Sequence, residues 1–279
     1  KDLLIPKGYR LIGRGEIRLN LLKSSKITSF SPVEIVGEKD RDIVIYSEDG
    51  TGQGLAVINA SQQSLLNHVI FRNLSEPVSM DRNLTGAITF YRSPLKIQKV
   101  HFRETRSEDA LHVIDSTLDM NTVSFSNISS DAIDCDFCNI ELFNVTFRDI
   151  GNDAIDVSGS KGHLKSIEIK NVQDKGISIG EGSNIVVHTL TVAGADIGLA
   201  SKDSSVVAAD RVSVEDSHIG FAVYTKKPEY GPARLSLSNV KMSNVEEHYY
   251  IQVNSDVLLD GKIKDDFEYK TDKYDKSSS

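Results

Sequence analysis

The 279-residue chain carries 32 Lys and Arg against 40 Asp and Glu, which gives a formal net charge of −8. This acidic balance, without a clustered basic face, repels phosphate groups and argues against nucleic acid as a partner. Hydrophobic residues make up 39% of the chain, but no run of about 18 apolar residues occurs. We therefore expect a soluble protein without a membrane span.

The first part of the chain, residues 1–51, holds short β-rich runs such as EIRLN and DIVIYS, separated by Gly, Pro and Lys-Ser signals. These runs predict irregular N-terminal coils that cap one end of a stack of strands. The first regular strand pattern is GQGLAVINA at 52–60, and TGAITFY at 85–91 follows after an insertion. A regular domain is therefore expected to begin at residue 52.

A small residue then recurs at a constant step of 22 positions. The six positions are Ala110, Ala132, Ala154, Gly176, Gly198 and Gly220. A fixed period of this size is typical of a solenoid. The residues one and three places after each anchor form two mostly apolar columns, which begin with Leu111 and Val113 and include Cys135. Alternate apolar positions indicate a strand with one buried face, so the residue between them faces outward.

A second strand recurs in each repeat, as in NTVSFSN at 121–127 and NVTFRD at 144–149. No stretch shows sustained helical spacing, and two or three strands per repeat without helices predict a parallel β-helix. The fold class is therefore all-β. We expect a single solenoid at 52–260 with about nine or ten coils of about 22 residues, followed by a charged, disordered tail at 261–279.

The outward column of the repeated strand begins with His112, Asp134 and Asp156. Neighbours in this column lie one coil apart, about 4.8 Å between backbones. Two ionised carboxylates at that separation repel each other and are tolerated where they bind a cation, share a proton or serve a function. The histidine adds a group that titrates near neutrality. These three residues are the first candidates for a catalytic site.

A second column, three residues earlier, contains Asp109, Asp131, Asp153 and Lys175. Stacked carboxylates suit Ca²⁺, which takes six to eight oxygen ligands, so the three aspartates are candidate metal ligands. The alternative is ordinary turn structure, because Asp before a tight turn forms local hydrogen bonds. Both interpretations of this column remain open at the level of sequence.

The coil length, the outward acidic turns and phrases such as DAIDVSGS and DKGISIGEGS resemble the right-handed parallel β-helix superfamily of pectate and alginate lyases, C5-epimerases and polygalacturonases. The resemblance implies a polysaccharide substrate and a secreted, periplasmic or cell-surface location. It also implies that Ca²⁺ neutralises the substrate carboxylate while a base removes the C5 proton. His112 or Lys175 would be that base. The His-Gly and Arg-Ile-Lys motifs of polygalacturonases are missing, which favours the lyase and epimerase branches.

The step lengthens between Gly220 and Tyr250, where the insertion YTKKPEYGPA occupies 224–233. Loops that leave a solenoid wall often form a binding rim. The insertion supplies four candidate substrate-binding residues: Tyr224, Lys226, Lys227 and Tyr230. A stiff Pro-Gly bulge without a ligand is the alternative.

Two functions therefore remain. The first is a lyase or C5-epimerase that acts on uronate-containing glycans outside the cytoplasm. The second is a non-catalytic glycan-binding or spacer module of a larger surface protein. The sequence makes no prediction of the oligomeric state.

Overall fold

A computed structural model of the chain describes residues 1–78, 84–262 and 267–271, and every regular element within these ranges is a β-strand. The first twelve strands are β1 (Leu3–Ile5), β2 (Leu11–Arg14), β3 (Arg18–Asn20), β4 (Ile27–Ser29), β5 (Val33–Val36), β6 (Ile43–Tyr46), β7 (Leu55–Ile58), β8 (Ser64–Arg72), β9 (Gly86–Tyr91), β10 (Leu95–Arg103), β11 (Asp109–Ile114) and β12 (Thr117–Ile128). The second twelve are β13 (Asp131–Asp136), β14 (Asn139–Ile150), β15 (Ile155–Ser158), β16 (Lys161–Val172), β17 (Lys175–Gly180), β18 (Asn184–Val187), β19 (Leu190–Ala193), β20 (Ile197–Lys202), β21 (Val206–Tyr224), β22 (Arg234–Gln252), β23 (Asp256–Leu259) and β24 (Tyr269–Lys270).

The named strands pair in parallel and stack into three ladders, so the chain is a parallel β-solenoid of about 11 turns. Sheet 1 contains β1, β4, β7, β9, β11, β13, β15, β17, β20, the ends of β21 and β22, and β24. Sheet 2 contains β2, β5, β18, β23 and the first parts of β8, β10, β12, β14, β16, β21 and β22. Sheet 3 contains β3, β6, β19, the second parts of β8, β10, β12, β14 and β16, and the middle parts of β21 and β22. Longer strands such as β14 thus bend around a corner and belong to both sheets. The predicted all-β solenoid of nine or ten coils is confirmed, with slightly more turns than expected.

The two predicted apolar columns of sheet 1 form one wall of the core. Leu111, Ile133 and Ile155 stack in register and have no exposed surface. Cys135 lies in the second column, 1% exposed, and its thiol is free. Sheet 3 contributes a stack of aromatic rings, in which Phe125 lies 4.5 Å from one neighbouring ring centroid and 5.1 Å from the next. Each coil therefore buries its apolar face against the coils above and below it.

The small anchor residues lie at a bend where consecutive coils approach closely. A Cβ atom at Gly176 would lie 2.5 Å from the carbonyl oxygen of Gly198, and one at Gly198 would lie 2.6 Å from that of Gly220. No Cβ atom fits at those distances, so glycine is required there. The constant 22-residue step thus marks one inward position of the coil, which holds a fully buried alanine in three coils and glycine in the next three.

The corners between the sheets use residues in the left-handed backbone region. After sheet 3, Asn127, Asp149 and Asn171 have φ of 54°, 57° and 57°. Asn and Asp tolerate this conformation better than most residues do. The amide of Asn171 donates to Asp149 Oδ1 at 2.9 Å, so side chains at one corner bond from coil to coil.

The first 51 residues contribute β1 to β6 to the same three ladders. The tail predicted to be disordered at 261–279 lies mostly outside the described residues; within it, β24 pairs with Ile251 and Gln252, and Phe267 packs near Tyr249. Among the residues described, no helix is long and apolar enough to cross a membrane.

Candidate active site

The outer face of sheet 1 carries three columns of side chains, one more than the two outward columns predicted from the sequence. In β11, Ala110 and Leu111 both point into the core, so Asp109, His112 and Ile114 all face outward. The same arrangement repeats in β13 and β15. The three outward columns are Gly86, Asp109, Asp131, Asp153, Lys175, Ile197 and Ile219; Thr89, His112, Asp134, Asp156, Ser178, Ala200 and Ala222; and Tyr91, Ile114, Asp136, Ser158, Gly180, Lys202 and Tyr224.

His112 lies at the centre of the acidic part of this face and is only 7% exposed. Its Nδ1 atom is 2.7 Å from Thr85 Oγ1 and 3.5 Å from Asp109 Oδ2. Its Nε2 atom is 3.5 Å from Asp134 Oδ2 and 3.3 Å from Asp136 Oδ2. An imidazole with an oxygen partner on each nitrogen is held in a fixed orientation, as a general base must be.

The predicted column partners of His112 are brought together as expected. Asp134 pairs in register with His112 and with Asp156. Burial, followed by repulsion from Asp109, Asp136 and Asp156, raises the pKa of Asp134 from its usual value of 3.8 to about 9. At neutral pH this carboxyl group is therefore protonated and can donate a hydrogen bond.

The neighbouring column of aspartates shares the same electrostatic character. Burial is the main cause that raises the pKa of Asp109 and of Asp131 to about 6, and that of Asp153 to about 7. Coulombic repulsion within the cluster adds to each of these shifts. Protons are thus shared among adjacent carboxyl groups near neutral pH, a property that is common at functional sites.

Lys175 forms ion pairs with aspartates in and beside this column. Its Nζ atom lies 2.6 Å from Asp174 Oδ2 and 3.4 Å from Asp153 Oδ1, and the side chain is buried. Burial lowers the pKa of Lys175, but the ion pairs with Asp153 and Asp174 outweigh that effect and raise it above its ordinary value. A base must lose its proton easily, so the geometry favours His112 over Lys175 in that role.

Asp131 and Asp153 also hold the backbone of the next coil. Asp131 Oδ1 accepts hydrogen bonds from the Asn152 side chain and the Asp153 N–H, both at 2.7 Å. Asp153 Oδ1 accepts the Lys175 N–H at 2.9 Å. These bonds support the turn-structure interpretation of the column.

The predicted Ca²⁺ ligands do not form a common oxygen cage. Within the described part of the chain, the potential ligand atoms that lie within 4.8 Å of one another belong to Asp109, His112 and Asp134, while Asp131 and Asp153 bind the local groups described above. An imidazole nitrogen is a poor ligand for Ca²⁺, which prefers six to eight oxygens. The arrangement thus fits Ca²⁺ poorly.

Sequence reasoning missed Lys202 and Asp136 in the third outward column. Lys202 is only 8% exposed and extends across Gly180 to place Nζ 3.8 Å from Asp156 Oδ1. A Cβ atom at Gly180 would lie 2.9 Å from Lys202 Cε. The sequence does contain a pattern that points to Lys202. Steps of 22 residues from Asp136 lead through Gly180 to Lys202.

The predicted loop residues are placed in different environments. Tyr224 is 1% exposed and packs with Ile197, Ile219 and neighbouring alanines in a small cluster outside the main core. Burial raises the pKa of Tyr224, and its ring does not reach the surface. Lys226 is exposed, Lys227 forms an ion pair with Glu181, and Tyr230 is half-buried. Three of the four residues thus remain accessible to a ligand.

No protein-family model matches the sequence, and a comparison with curated proteins finds no match. Among solved structures, the periplasmic alginate epimerase AlgG has a TM-score of 0.59 at 12% identity, and one of its mutants has 0.65 at 11%. Both alignments cover 92% of this chain and 75% of the other. A catalytic domain of a GH87 alpha-1,3-glucanase has a TM-score of 0.43 at 11% identity, covering 93% and 61%. At these identities the likeness to AlgG shows the fold, in agreement with the predicted right-handed parallel β-helix.

Proposed function

We propose that this protein acts on a uronate-containing polysaccharide at the outer face of sheet 1, by proton transfer at C5. The observation that carries the proposal is the position of His112 between Asp109 on one ring nitrogen and Asp134 and Asp136 on the other. The fold likeness to an alginate epimerase supports the same reaction class, although fold alone does not assign function.

The chemistry requires a base and a means of stabilising negative charge. His112 takes the C5 proton, and the electron pair of the C5–H bond moves toward the substrate carboxylate. The protonated carboxyl of Asp134 donates a hydrogen bond to that carboxylate and stabilises the charge as it develops. An epimerase then returns a proton to the opposite face of C5. A lyase instead breaks the bond to the O4 leaving group, forms a C4–C5 double bond and protonates the departing oxygen.

The acidic surface does not prevent an anionic substrate from binding. Raised carboxyl pKa values keep part of the cluster neutral near pH 7. Lys175 and Lys202 place two positive charges at the other end of the cluster. Local charge decides binding in a cleft more than the net charge of the protein does.

A glycoside hydrolase is the second candidate. Hydrolases of this type need one carboxylic acid and one carboxylate close together, with their pKa values pushed apart. Asp134, with its pKa raised to about 9, and its neighbour Asp109, with a pKa of about 6, form such a pair. A hydrolase would release new reducing ends and no unsaturated product.

The deciding experiment incubates the protein with uronate polysaccharides and neutral glucans in D₂O. Three signals are followed together: deuterium at C5 by NMR, absorbance of unsaturated uronates, and reducing ends. We expect C5 exchange with a uronate polymer, lost by at least about 100-fold in His112→Gln. His218→Gln is the matched control, because His218 also contacts an aspartate, Asp196, at 3.1 Å but lies outside the cluster.

Reducing ends with neither C5 exchange nor unsaturated uronates would replace the proposal with the hydrolase, whereas reducing ends together with unsaturated uronates would identify the lyase. Silence in all three channels would contradict both enzymatic functions and favour a glycan-binding or spacer module. A substrate of this kind lies outside the cytoplasm, so we also propose an extracytoplasmic location, which fractionation of the producing cells would test.

A further inference from the structure

One corner of the solenoid runs along the end of sheet 1, beside the acidic cluster. In successive coils it is occupied by Asn59, Arg92, Asp115, Phe137, Gly159, Glu181 and Asp203, all with positive φ. Six of these seven residues are polar, charged or glycine. Phe137 is the exception, with φ of 56° and 62% of its surface exposed.

Two costs are therefore combined at Phe137. A bulky residue in the left-handed region is strained, and an exposed aromatic ring leaves apolar surface in water. An isolated exposed apolar residue needs no explanation. A strained and exposed aromatic residue, at a corner that holds glycine or a polar or charged residue in the six other coils, does need one.

The neighbouring coil leaves room for the ring. A Cβ atom at Gly159 would lie 2.6 Å from Phe137 Cδ1 and 2.7 Å from Cε1. The ring thus rests against the backbone of Gly159, in space that any other residue would occupy. This contact holds one edge of the ring while most of its surface stays open to solvent.

Phe137 also lines a surface cavity of about 420 Å³, together with Arg92, Asp115 and Asn139. This volume lies in the usual range for small-molecule sites. Arg92 is fixed by a 2.7 Å contact from Nε to Asp115 Oδ2, and its guanidinium lies 5.3 Å from the centroid of the Tyr91 ring. Polar donors and acceptors therefore surround one apolar surface.

The cavity is next to the proposed reaction site. Phe137 directly follows Asp136, whose carboxylate lies 3.3 Å from His112 Nε2. A pyranose ring has an apolar face of C–H groups and a rim of hydroxyls, which match an aromatic ring surrounded by charged and amide side chains. A polymer lying across the acidic cluster would pass this corner.

We propose that Phe137 is the stacking platform of a sugar-binding subsite beside the acidic cluster, with Arg92, Asp115 and Asn139 binding hydroxyl groups. The inference rests on the proposed function, because it requires a glycan in the groove. It assigns Phe137 to binding and gives it no part in the proton transfer.

The test compares substitutions that affect stacking and backbone strain in opposite ways. Phe137→Asn removes the ring and relieves the strain, because asparagine tolerates positive φ, as Asn59 does at the same corner. We expect it to melt at the same temperature as the wild type or higher, and to bind a long uronate oligosaccharide about 5- to 10-fold more weakly. Phe137→Trp should keep the affinity.

Two further variants sharpen the test. Phe143→Asn is the matched control, because Phe143 is 50% exposed on sheet 2 and away from the cluster. Gly159→Asn should also weaken binding, because it keeps the corner conformation but places a Cβ atom in the ring's position. Binding is measured by calorimetry, which does not depend on turnover.

The outcomes separate the two proposals. Weaker binding in Phe137→Asn with an unchanged affinity in Phe143→Asn would support the subsite. Equal affinity of Phe137→Asn and the wild type would overturn it while leaving the proposed function intact. Failure of the wild type to bind any uronate oligosaccharide would overturn both.

Discussion

Across two adjacent coils, His112 Nε2 lies 3.5 Å from Asp134 Oδ2, so a potential base and a protonated carboxyl group face the same point on the surface. The pKa of Asp134, raised to about 9 mainly by burial, makes this carboxyl a hydrogen-bond donor at neutral pH. The relation between the two residues leads directly to the pH dependence of the reaction.

We predict that activity depends on a protonated Asp134. Because the protonated form predominates below its pKa, kcat/KM for C5 exchange should fall as the pH rises above about 9. Asp134→Asn, whose amide still donates a hydrogen bond, should retain activity and lose this alkaline limb. Asp134→Ala should lose about 100-fold or more. An Asp134→Asn variant as inactive as the alanine variant would show that the carboxyl group itself reacts.

Stability should also depend on pH through the same cluster. A carboxyl whose pKa is raised by folding binds its proton more tightly in the folded state. Its contribution is therefore present below the unfolded pKa and is lost as the pH rises through the folded one. The four aspartates have folded pKa values of about 6, 6, 7 and 9. The free energy of unfolding should fall from about pH 4 to pH 9, by at most about 1.4 kcal/mol per pH unit for each group.

Asp134→Asn isolates the upper part of that pH range. Above about pH 8 only Asp134 of these four groups still releases most of a proton, because the next highest pKa, that of Asp153, is about 7. The variant should therefore show a much flatter pH dependence there. Urea unfolding at several pH values measures it. Asp119→Asn is a suitable control, because that carboxylate is half-exposed and pairs with Lys96. Parallel curves for the wild type and Asp134→Asn would contradict the raised pKa.

The architecture was predictable because one physical constraint repeats. Close packing admits no Cβ atom at Gly176 and Gly198, and the same inward position holds alanine in three preceding coils, so small residues recur at a fixed step in the sequence. The apolar columns that begin with Leu111 and Val113 follow from the same register. A strand pattern that recurs over several coils can be recognised even where one coil departs from it. A helix or loop that occurs once offers no such repetition.

The site was only partly predictable, because outward side chains do not all remain on the surface. Ala200 and Ala222 share the column of His112 but are completely buried under a second apolar layer that includes Ile197 and Tyr224. Lys202 belongs to the cluster only because its long side chain crosses Gly180. Contacts of this kind depend on side-chain direction and length, which a repeat pattern does not contain.

The position of the Lys202 side chain near Asp156 should therefore depend on the absence of a side chain at Gly180. We predict that Lys202→Met and Gly180→Ala each reduce kcat/KM, because both remove the cation near Asp156. The stability cost of Gly180→Ala should be small, below about 1 kcal/mol, since the flexible lysine can move away. The double mutant should be no worse than the more impaired single mutant, because both changes remove the same interaction.

Lys96→Met is the control for lost charge, since Lys96 pairs with Asp119 at 2.9 Å and lies outside the cluster. Additive losses in the double mutant would contradict a shared mechanism and would separate the role of Gly180 from that of Lys202.

Calcium provides the last prediction. The Oδ1 atoms of Asp131 and Asp153 accept hydrogen bonds from Asn152, from backbone N–H groups and from Lys175. The group of close potential ligands in the described residues includes the imidazole of His112. Ca²⁺ would have to displace these bonds and accept a nitrogen ligand. We therefore expect that a chelator changes neither the melting temperature nor C5 exchange, and that excess Ca²⁺ has no effect. A rise in melting temperature with Ca²⁺ that disappears in Asp109→Asn would instead establish the predicted calcium site, since ligands stabilise the state that binds them.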